Sequence, residues 1–370
     1  MHVLILLNSR FPTHKAYGLQ VLAMARGFAE SGVMVTVAYP RRSTDVPPTM
    51  NGVRFFPFGP LAPLLHPKLF QFYRLLSLMS LPHVLDALRP DICLVNDPVQ
   101  AAFLPRPWRL LWDVHDLPDP GRWTRRWLVR RILRRAQGMI STSQRKLDRL
   151  KTLGVHLPPS IVLPNPVTFD PHVYQSITRE EARGRCMIGE GPAIVYAGQL
   201  YDWKGVDTLV QAAAFMPATS RIHIVGGMGE DFERCKRIAE ALPAGSAEVI
   251  FHGQRPAEDI PCWLRAADVV VIPNSGKHRL SVEDTNPLKA IEAMAARANI
   301  VASDLPALRD ALLGYGAVRF FRPDDPEALA LDVKELLINP PVQVQHALLT
   351  AKGRAERIQD FVIASTQGGL

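Results

Sequence analysis

The fold is encoded most clearly in AIVYAGQLYDWKGVDTLVQA, which occupies residues 193–212. The stretch opens with AIVYA, a short apolar and β-branched run of the kind that forms a strand buried on both faces. GQLYDWKG has the composition of a loop, and VDTLVQA has the pattern of a helix. Strand, loop and helix in this order form the repeating unit of a parallel sheet covered by helices.

Apolar runs of the same kind alternate with helical patterns along the whole chain. The first half contains HVLILL, VMVTVAY, VRFFPF, DICLVN, RLLWDVH, GMISTS and SIVLPN, and the second half contains AIVYAG, RIHIVGG, EVIFHG, VVVIPN, NIVASD and AVRFF. Two such series, in a chain of 370 residues, predict two doubly wound α/β domains in tandem. Because the polar stretch at 167–192 separates the series, we expect an N-terminal domain at 1–168 and a C-terminal domain at 169–345. A helix at about 352–368 is expected to pack back on the first domain.

The composition is that of a globular protein, with 47% apolar and 21% charged residues. No apolar run is long enough for a transmembrane helix, and the first residues lack the basic region and cleavage site of a signal peptide. The cysteines have no metal-type spacing, so we expect them to be reduced, in a cytoplasmic protein. They are Cys93, Cys186, Cys235 and Cys262.

The net charge of +8 is concentrated in RWTRRWLVRRILRR, residues 122–135, which hold seven arginines and no acid. Helical spacing places an apolar stripe on one face and Trp123 and Trp127 on the other, among Arg130 and Arg134. The stripe comprises Leu128, Val129, Ile132, Leu133 and Ala136. This pattern favours contact with an anionic membrane surface. The alternative is an ordinary solvated arginine face. No nucleic-acid-binding module accompanies the patch, so we expect no nucleic acid partner.

A second apolar stretch occupies residues 60–83 and reads PLAPLLHPKLFQFYRLLSLMSLPH. It supports a lipid-contacting role or a lipid acceptor, and the alternative is a buried helix. We therefore expect a protein of the cytoplasm that is peripheral on the inner face of the membrane. The oligomeric state stays open.

A further helix is predicted where SVEDTNPLKAIEAMA occupies residues 281–295. Pro287 suits the first helical position and Asn286 suits the N-cap. The positive end of the helix can be stabilised by Glu283 and Asp284 themselves, or by an external anion such as phosphate.

Four loops that follow strands resemble, in their order, those of retaining GT-B glycosyltransferases of the family-4 type. They are NSRFPTHKAYG, DVHDLPDPGR, GQLYDWKG and IPNSGKHRLSVEDTNP. The resemblance extends over roughly residues 1–340 and is clearest in VYAGQLYDWKGVDTLVQA and DTNPLKAIEAMAARANIVASD. It implies two Rossmann-like domains that face a central cleft. It also implies transfer of a sugar from a UDP- or GDP-linked donor to a hydroxyl acceptor, with retention and without a metal or other cofactor.

The resemblance assigns roles to the helix that follows Pro287. The family places two acidic residues eight positions apart, and this step falls here on Asp284 and Glu292. Asp284 would reach hydroxyls of the transferred sugar, and Glu292 would accept both ribose hydroxyls. The N–H groups of Leu288 and Lys289 would meet the diphosphate, at a helix end opened by Asn286 and Pro287. The alternative is charge compensation at the helix end and a solvated Glu292.

The other loops contribute further candidates. Lys204 matches the phosphate lysine of the family, and its charge would neutralise the leaving diphosphate. Gln199 stands where the family usually has arginine, so a positive charge is missing. His115 matches a histidine that would hold a sugar hydroxyl or a main-chain group. The alternatives for Lys204 and His115 are an exposed loop lysine and a structural histidine.

Three weaker candidates complete the predicted site. Gly18 lies in the first loop, where the family has glycine so that the backbone can approach the donor. An ordinary turn glycine is the alternative. Backbone near Gln254 and Arg255 is expected to contact the base or the ribose.

The leading interpretation is a glycosyltransferase of surface polysaccharide or glycolipid assembly, with an acceptor that could be lipid-linked. A sugar-nucleotide epimerase on the same fold is one alternative. A non-catalytic GT-B protein that binds nucleotide or a partner is another, motivated by Gln199, Asp284 and the Tyr17-Gly18 pair in place of Gly-Gly.

Overall fold

The computed structural model describes residues 1–8, 11–13, 16–41, 47–59, 76–115, 117, 123–284, 287–341 and 346–367. The chain divides into two compact units. Unit 1 comprises Met1–Thr168 and Leu349–Leu370, and unit 2 comprises Phe169–Leu348.

Unit 1 contains a seven-stranded sheet in the order β3-β2-β1-β4-β5-β6-β7. Every neighbouring pair is parallel; His2, for example, lies beside Met34 of the next strand. The strands are β1 His2–Leu6, β2 Met34–Pro40, β3 Val53–Phe58, β4 Ile92–Val95, β5 Leu110–Val114, β6 Gly138–Ser141 and β7 Ser160–Val162. The helices between them are α1 Ala16–Glu30, α2 Leu81–Leu88, α3 Pro98–Phe103, α4 Trp123–Leu133 and α5 Gln144–Lys151. Apolar side chains of alternating strand positions are buried on both faces, since helices cover the two sides.

Unit 2 contains a six-stranded parallel sheet in the order β10-β9-β8-β11-β12-β13. The strands are β8 Ala193–Ala197, β9 Arg221–Val225, β10 Glu248–Gly253, β11 Val269–Ile272, β12 Ile300–Ser303 and β13 Val318–Phe321. The helices are α6 Pro171–Gln175, α7 Arg179–Arg185, α8 Val206–Ala212, α9 Gly229–Glu240, α10 Ile260–Ala266, α11 Leu288–Ala295, α12 Pro306–Ala311 and α13 Pro326–Ile338.

The last helix, α14 Ala351–Gln367, belongs to unit 1 and packs against α1. The two helices approach so closely that a Cβ atom at Gly27 would lie 2.2 Å from the carbonyl oxygen of Ala351. Ala355, Ile358 and Val362 of α14 join the core on that side of the sheet. The helices within the described ranges all lack either the length or the hydropathy needed to cross a membrane.

Each predicted apolar run contains one of the observed strands, so the prediction of two doubly wound parallel sheets is confirmed. In each sheet the strand order reverses at one point, between β1 and β4 in unit 1 and between β8 and β11 in unit 2. Loops at such a switch point border the crevice in which α/β proteins bind ligands. Residues 60–75 of the second apolar stretch lie outside the described residues.

Candidate active site

The loops after β8 and β11 pack against each other at the switch point of unit 2. The N–H group of Ser275 donates to the carbonyl oxygen of Trp203 over 3.1 Å. Gly205 has a φ of 65°, and a Cβ atom there would lie 1.9 Å from the carbonyl oxygen of Pro273. Only glycine permits both the backbone conformation and the close approach. The glycine of the DWKG sequence therefore fixes where its neighbour Lys204 sits.

Arg234 of α9 anchors the same loop from its other side. Its guanidinium lies 2.8 Å from the carboxylate of Asp202, 3.1 Å from that of Asp207 and 2.5 Å from that of Asp231. It also donates to the carbonyl oxygen of Leu200 over 2.6 Å. A planar cation with five donors suits such a cluster, and the result is a braced segment from Leu200 to Asp207.

Lys204 lies on the 3₁₀ turn Asp202–Lys204, with its Nζ atom 3.8 Å from the centre of the Trp203 ring. In the described part of the chain, no carboxylate pairs with this ammonium group. Burial lowers the pKa of Lys204 to about 8. The turn packs against the π-helical turn Leu280–Asp284, which precedes α11, so this lysine lies near the start of that helix.

Lys289 brings a second lysine side chain to this place. The side chain is buried, at 9% exposure, and its Nζ atom donates to Tyr196 Oη over 3.1 Å. Burial, and next the charge of Lys204, hold the pKa of Lys289 well below its ordinary value. The sequence predicted only the backbone of Lys289 as a binding group. A usable signal was the alanine-rich sequence around it, because a helix whose neighbours are Ala290, Ile291 and Ala293 is buried almost all round.

The start of α11 differs from the prediction by one residue. Pro287 has an extended backbone with a ψ of 111°, and its carbonyl oxygen accepts from Ala290 N–H over 2.9 Å. Pro287 is therefore the N-cap and Leu288 the first helical residue, because the N-cap carbonyl accepts the first bond of a helix. Asn286, predicted as the N-cap, lies outside the described residues. The N–H groups of Leu288 and Lys289 occupy the first turn, where a helix offers them no acceptor.

The acidic residues around α11 differ in their surroundings. Glu283 is ion-paired with Arg279, at 3.1 Å, within the turn before the helix. The backbone of Asp284 ends that turn, and its side chain is outside the description. Glu292 is half-buried and accepts a hydrogen bond from Tyr174 Oη over 3.4 Å. Tyr174 is fully buried and thus limits where the carboxylate of Glu292 can lie.

The remaining predicted residues of unit 2 contribute mainly backbone groups. The carbonyl oxygen of Gln199 accepts from Tyr196 Oη over 2.5 Å, so Tyr196 connects Gln199 and Lys289. Gln254 and Arg255 are exposed and follow directly after β10. The structure therefore gathers Gln199, Lys204 and Lys289, whereas among the described residues no hydrogen bond connects Gln254 with them.

His115 borders a small cavity of about 30 Å³ at the switch point of unit 1. Its Nε2 atom lies 3.1 Å from Oδ2 of Asp113. Arg354 of α14, fully buried, donates to both carboxylate oxygens of Asp113 over 2.9 and 3.2 Å. Burial alone would raise the pKa of Asp113, but the charges and hydrogen bonds of Arg354 and His115 outweigh it and hold the pKa well below its usual range. The ring of His115 is thus held by a carboxylate that stays ionised.

Gly18 does not lie in a loop, which corrects the prediction. It is a buried residue of the first turn of α1, and a Cβ atom there would lie 2.5 Å from the carbonyl oxygen of Thr13. The physical reason for glycine at this place is the close passage of the preceding segment over the helix. Its neighbours Tyr17 and Gln20 line the cavity beside His115.

The helix α4 buries its predicted apolar stripe and exposes its tryptophans. Val129, Ile132 and Leu133 are buried, whereas Trp123 is 80% and Trp127 50% exposed. We call this outer face the α4 surface. It comprises Phe103, Trp123, Arg125, Arg126, Trp127, Arg131 and Arg134.

Part of the arginine cluster is bound within unit 1. Arg130, Arg131 and Arg135 donate to the carbonyl oxygens of Leu153, Ala102 and Pro105 over 2.8–2.9 Å. Arg131 also lies over the rings of Phe103 and Trp127. Within the described residues, the exposed arginines of this face that donate no hydrogen bond to a backbone carbonyl are Arg125, Arg126 and Arg134. The seven arginines thus do not form one uniform solvated patch.

Two protein families match the chain, one in each half. The family described as "Glycosyl transferase 4-like domain" matches residues 16–166, and the family described as "Glycosyl transferases group 1" matches residues 191–339. Two parallel doubly wound sheets with this pair of matches define the class of GT-B glycosyltransferase-like proteins. The chain belongs to the group 1 glycosyltransferases of the family-4 type, as the sequence predicted.

Curated relatives with assigned activities are distant. A D-inositol 3-phosphate glycosyltransferase of Xylanimonas cellulosilytica is 29% identical over 225 residues, which are 59% of this chain and 49% of the relative. A 2-deoxystreptamine glucosyltransferase of Streptomyces kanamyceticus is 28% identical over 56% of this chain and 53% of the relative. The chain spans about half the length of these curated relatives.

Solved structures match the fold over the whole chain. A sucrose-phosphate synthase from Thermosynechococcus elongatus has a TM-score of 0.75 and 20% identity, covering 100% of this chain and 97% of that chain. HepE of Anabaena, in complex with UDP and glucose, has a TM-score of 0.70 and 19% identity, covering 100% and 99%. The TM-scores establish the GT-B fold. Because the sequence identities are low, the activity has to be argued from the site.

Proposed function

We propose that this protein transfers a sugar from a nucleotide-sugar donor to a hydroxyl acceptor. The observation that carries the proposal is the position of Lys204. This half-buried lysine lies at the switch point of unit 2, next to the turn that leads into α11. A cation and the positive end of a helix together favour a phosphate-bearing ligand.

The chemistry follows from where charge develops. When the bond between the sugar and the diphosphate breaks, negative charge grows on the departing phosphate oxygens. Lys204 would stabilise that charge, and the first N–H groups of α11 would do the same. Glu292 would hold the two ribose hydroxyls, which keeps the nucleotide in place during transfer. These groups can act on the leaving diphosphate without a metal ion, so we propose metal-independent transfer.

The relatives narrow the choice of ligands to test. HepE was solved with UDP and glucose, and also with UDP-glucose, which makes UDP-sugars the first donors to try and GDP-sugars the second. The curated relatives are named for transfer to D-inositol 3-phosphate and to 2-deoxystreptamine. Both acceptor names support a hydroxyl group as the acceptor. Retention of configuration is proposed on the resemblance to retaining family-4 enzymes alone.

The α4 surface supports a proposal about where in the cell the protein acts. The α4 surface combines exposed tryptophans with outward arginines and contains no acidic residue. Tryptophan rings favour the depth of lipid headgroups, and arginines bind anionic lipid. We therefore propose a peripheral protein of the inner membrane face that acts on a lipid-linked acceptor in surface polysaccharide or glycolipid assembly.

Purified full-length chain should first be screened by thermal shift with UDP-, GDP- and ADP-sugars. A donor at 100 times its Kd should add about 2.7 kcal/mol to the free energy of unfolding. Transfer from the donor that binds should then be followed with and without EDTA, and the anomeric configuration of the product determined. Nucleotide binding without any turnover would favour a non-catalytic GT-B protein. Conversion of the donor sugar without an acceptor would favour an epimerase.

A further inference from the structure

Within the described residues, Lys289 is buried without an acidic partner, and the half-buried Lys204 beside it has none either. Within the described residues, the Lys289 ammonium contacts only the hydroxyl of Tyr196, at 3.1 Å, and the face of the same ring, 4.3 Å from its centre. Two amino groups held close together and shielded from water resist being charged at the same time, unless a counter-ion joins them. The free protein thus keeps an arrangement that an anion would complete.

Tyr196 holds the Lys289 ammonium in place. Its hydroxyl hydrogen is used by the carbonyl oxygen of Gln199, at 2.5 Å, so its oxygen can only accept from Lys289. An ammonium group has three donors, and Tyr196 uses one of them. In the described part of the chain no other acceptor uses the remaining donors, which are therefore available to a ligand.

A second observation comes from the end of β11. Asn274 is fully buried, and neither polar atom of its amide finds a hydrogen-bond partner in the described part of the chain. It directly follows Pro273, whose carbonyl oxygen touches the Lys204 loop at Gly205. A buried amide left unsatisfied is uncommon and points to a missing ligand or water.

We infer that the Lys289 side chain is the second cation of the donor site, binding the diphosphate together with Lys204. This deepens the proposed function and rests on it. The inference explains how the site tolerates Gln199 where the resembling family usually has arginine: the charge missing from the loop after β8 is supplied from α11. It also assigns the phosphate-binding role of Lys289 to its ammonium group, in addition to its backbone N–H.

The inference predicts proton uptake on binding. Burial and the charge of Lys204 favour the neutral form of Lys289 in the free protein. A diphosphate would reverse that preference, so Lys289 should take up a proton when the anion binds. A lysine that served only to support Tyr196 would show no such uptake.

The test compares Lys289→Met with wild-type full-length chain, using UDP, inorganic pyrophosphate and uridine as probes. Lys289→Met should melt at a higher temperature without ligand, since an apolar side chain replaces a buried amino group. Its affinities for UDP and pyrophosphate should fall roughly 10- to 100-fold, as expected for loss of a hydrogen bond to a charged group. Its affinity for uridine should not change. Lys289→Arg should regain part of the affinity, and Lys334→Met, on α13, should bind as wild type does.

Calorimetric titration of UDP in buffers of different ionisation enthalpy completes the test. Proton uptake should be present in wild type and absent in Lys289→Met. The inference is overturned if Lys289→Met binds UDP and pyrophosphate as tightly as wild type while Lys204→Met does not, and the proposed function then stands. A wild-type chain that binds neither UDP nor any sugar nucleotide would overturn the proposed function and this inference together.

Discussion

The guanidinium of Arg354 and the carboxylate of Asp113 form two hydrogen bonds, of 2.9 and 3.2 Å, across 241 residues of sequence. One residue lies on the last helix and the other on β5, an interior strand of the first sheet. Oδ2 of the same carboxylate also lies 3.1 Å from Nε2 of His115. Through Asp113, the C-terminal helix thus helps to position His115, a predicted site residue that is far from it in sequence.

Arg354→Met should destabilise unit 1 by about 3–5 kcal/mol, because it leaves the Asp113 carboxylate buried without its main partner. Urea denaturation of the full chain measures the loss. Arg357→Met is the matched control, since Arg357 is exposed on the same helix and should change stability by less than about 0.5 kcal/mol. Equal stabilities of the two variants would show that the ion pair contributes little.

The Asp113 pair should also make the protein sensitive to acid. The pKa of Asp113 is held below its usual range in the folded state, so the stabilisation is complete above about pH 4 and is lost as the pH falls further. Asp113→Asn should be less stable than wild type at pH 7, yet its stability should fall less steeply below pH 4, by up to about 1.4 kcal/mol per pH unit. Urea denaturation from pH 7 to pH 3 compares the slopes, and parallel curves would contradict the assignment.

The fold was predictable because the apolar runs are long and regular. AIVYA and VVVI could hardly be anything other than buried strands, and the polar gap between the two series marked where one sheet ends. The position of Lys204 was predictable for a similar reason, since DWKG follows a strand and precedes a helix. Local sequence specifies these features without help from distant parts of the chain.

The contacts between distant elements were not predictable in the same way. The Arg354–Asp113 pair needs the register of α14 on α1, which no local pattern gives. A partial signal existed, because Arg354 lies on the apolar stripe of Ala351, Ala355 and Ile358, and Asp113 interrupts the apolar run LLWDV. An arginine and an aspartate on otherwise buried surfaces need partners, and each could have suggested the other. The burial of the Lys289 side chain depends likewise on packing against Tyr196.

Lys204→Ala should lower kcat by about 100-fold and raise the donor KM by much less. The charge on the leaving diphosphate grows in the transition state, so the ammonium group stabilises that state more than bound donor. Steady-state kinetics with saturating acceptor separates the two parameters. An unchanged kcat would remove Lys204 from the catalytic residues.

Glu292→Ala should weaken nucleotide binding as well as turnover. The proposed contacts of Glu292 to the ribose are present with bound donor and in the transition state alike, so KM and Kd should rise more than kcat falls. Calorimetric titration with UDP measures the binding change. Glu335→Ala, on α13, serves as a control for loss of one carboxylate in the same unit. Normal UDP binding by Glu292→Ala would contradict the ribose assignment.

Binding of the protein to anionic vesicles should depend on the outward arginines of the α4 surface. Each basic residue near such a surface contributes about 1 kcal/mol, so replacing Arg125, Arg126 and Arg134 by Gln should weaken binding by about 100-fold. Arg130, Arg131 and Arg135 are left in place, because their hydrogen bonds to backbone carbonyls stabilise unit 1. Vesicle sedimentation at several lipid concentrations gives the partition coefficients.

The aromatic part of the same surface should behave differently toward salt. Trp123→Ala with Trp127→Ala should weaken vesicle binding equally at low and high salt, since ring insertion is not screened, whereas the arginine contribution should shrink as the Debye length falls below ~10 Å. Substitution of Arg185, Arg237 and Arg357 by Gln removes the same charge from exposed positions elsewhere, and should change binding far less. Equal effects of the two arginine sets would mean that net charge alone drives adsorption. A wild-type protein that ignores anionic vesicles at low salt, where attraction is strongest, would make a soluble acceptor the better hypothesis.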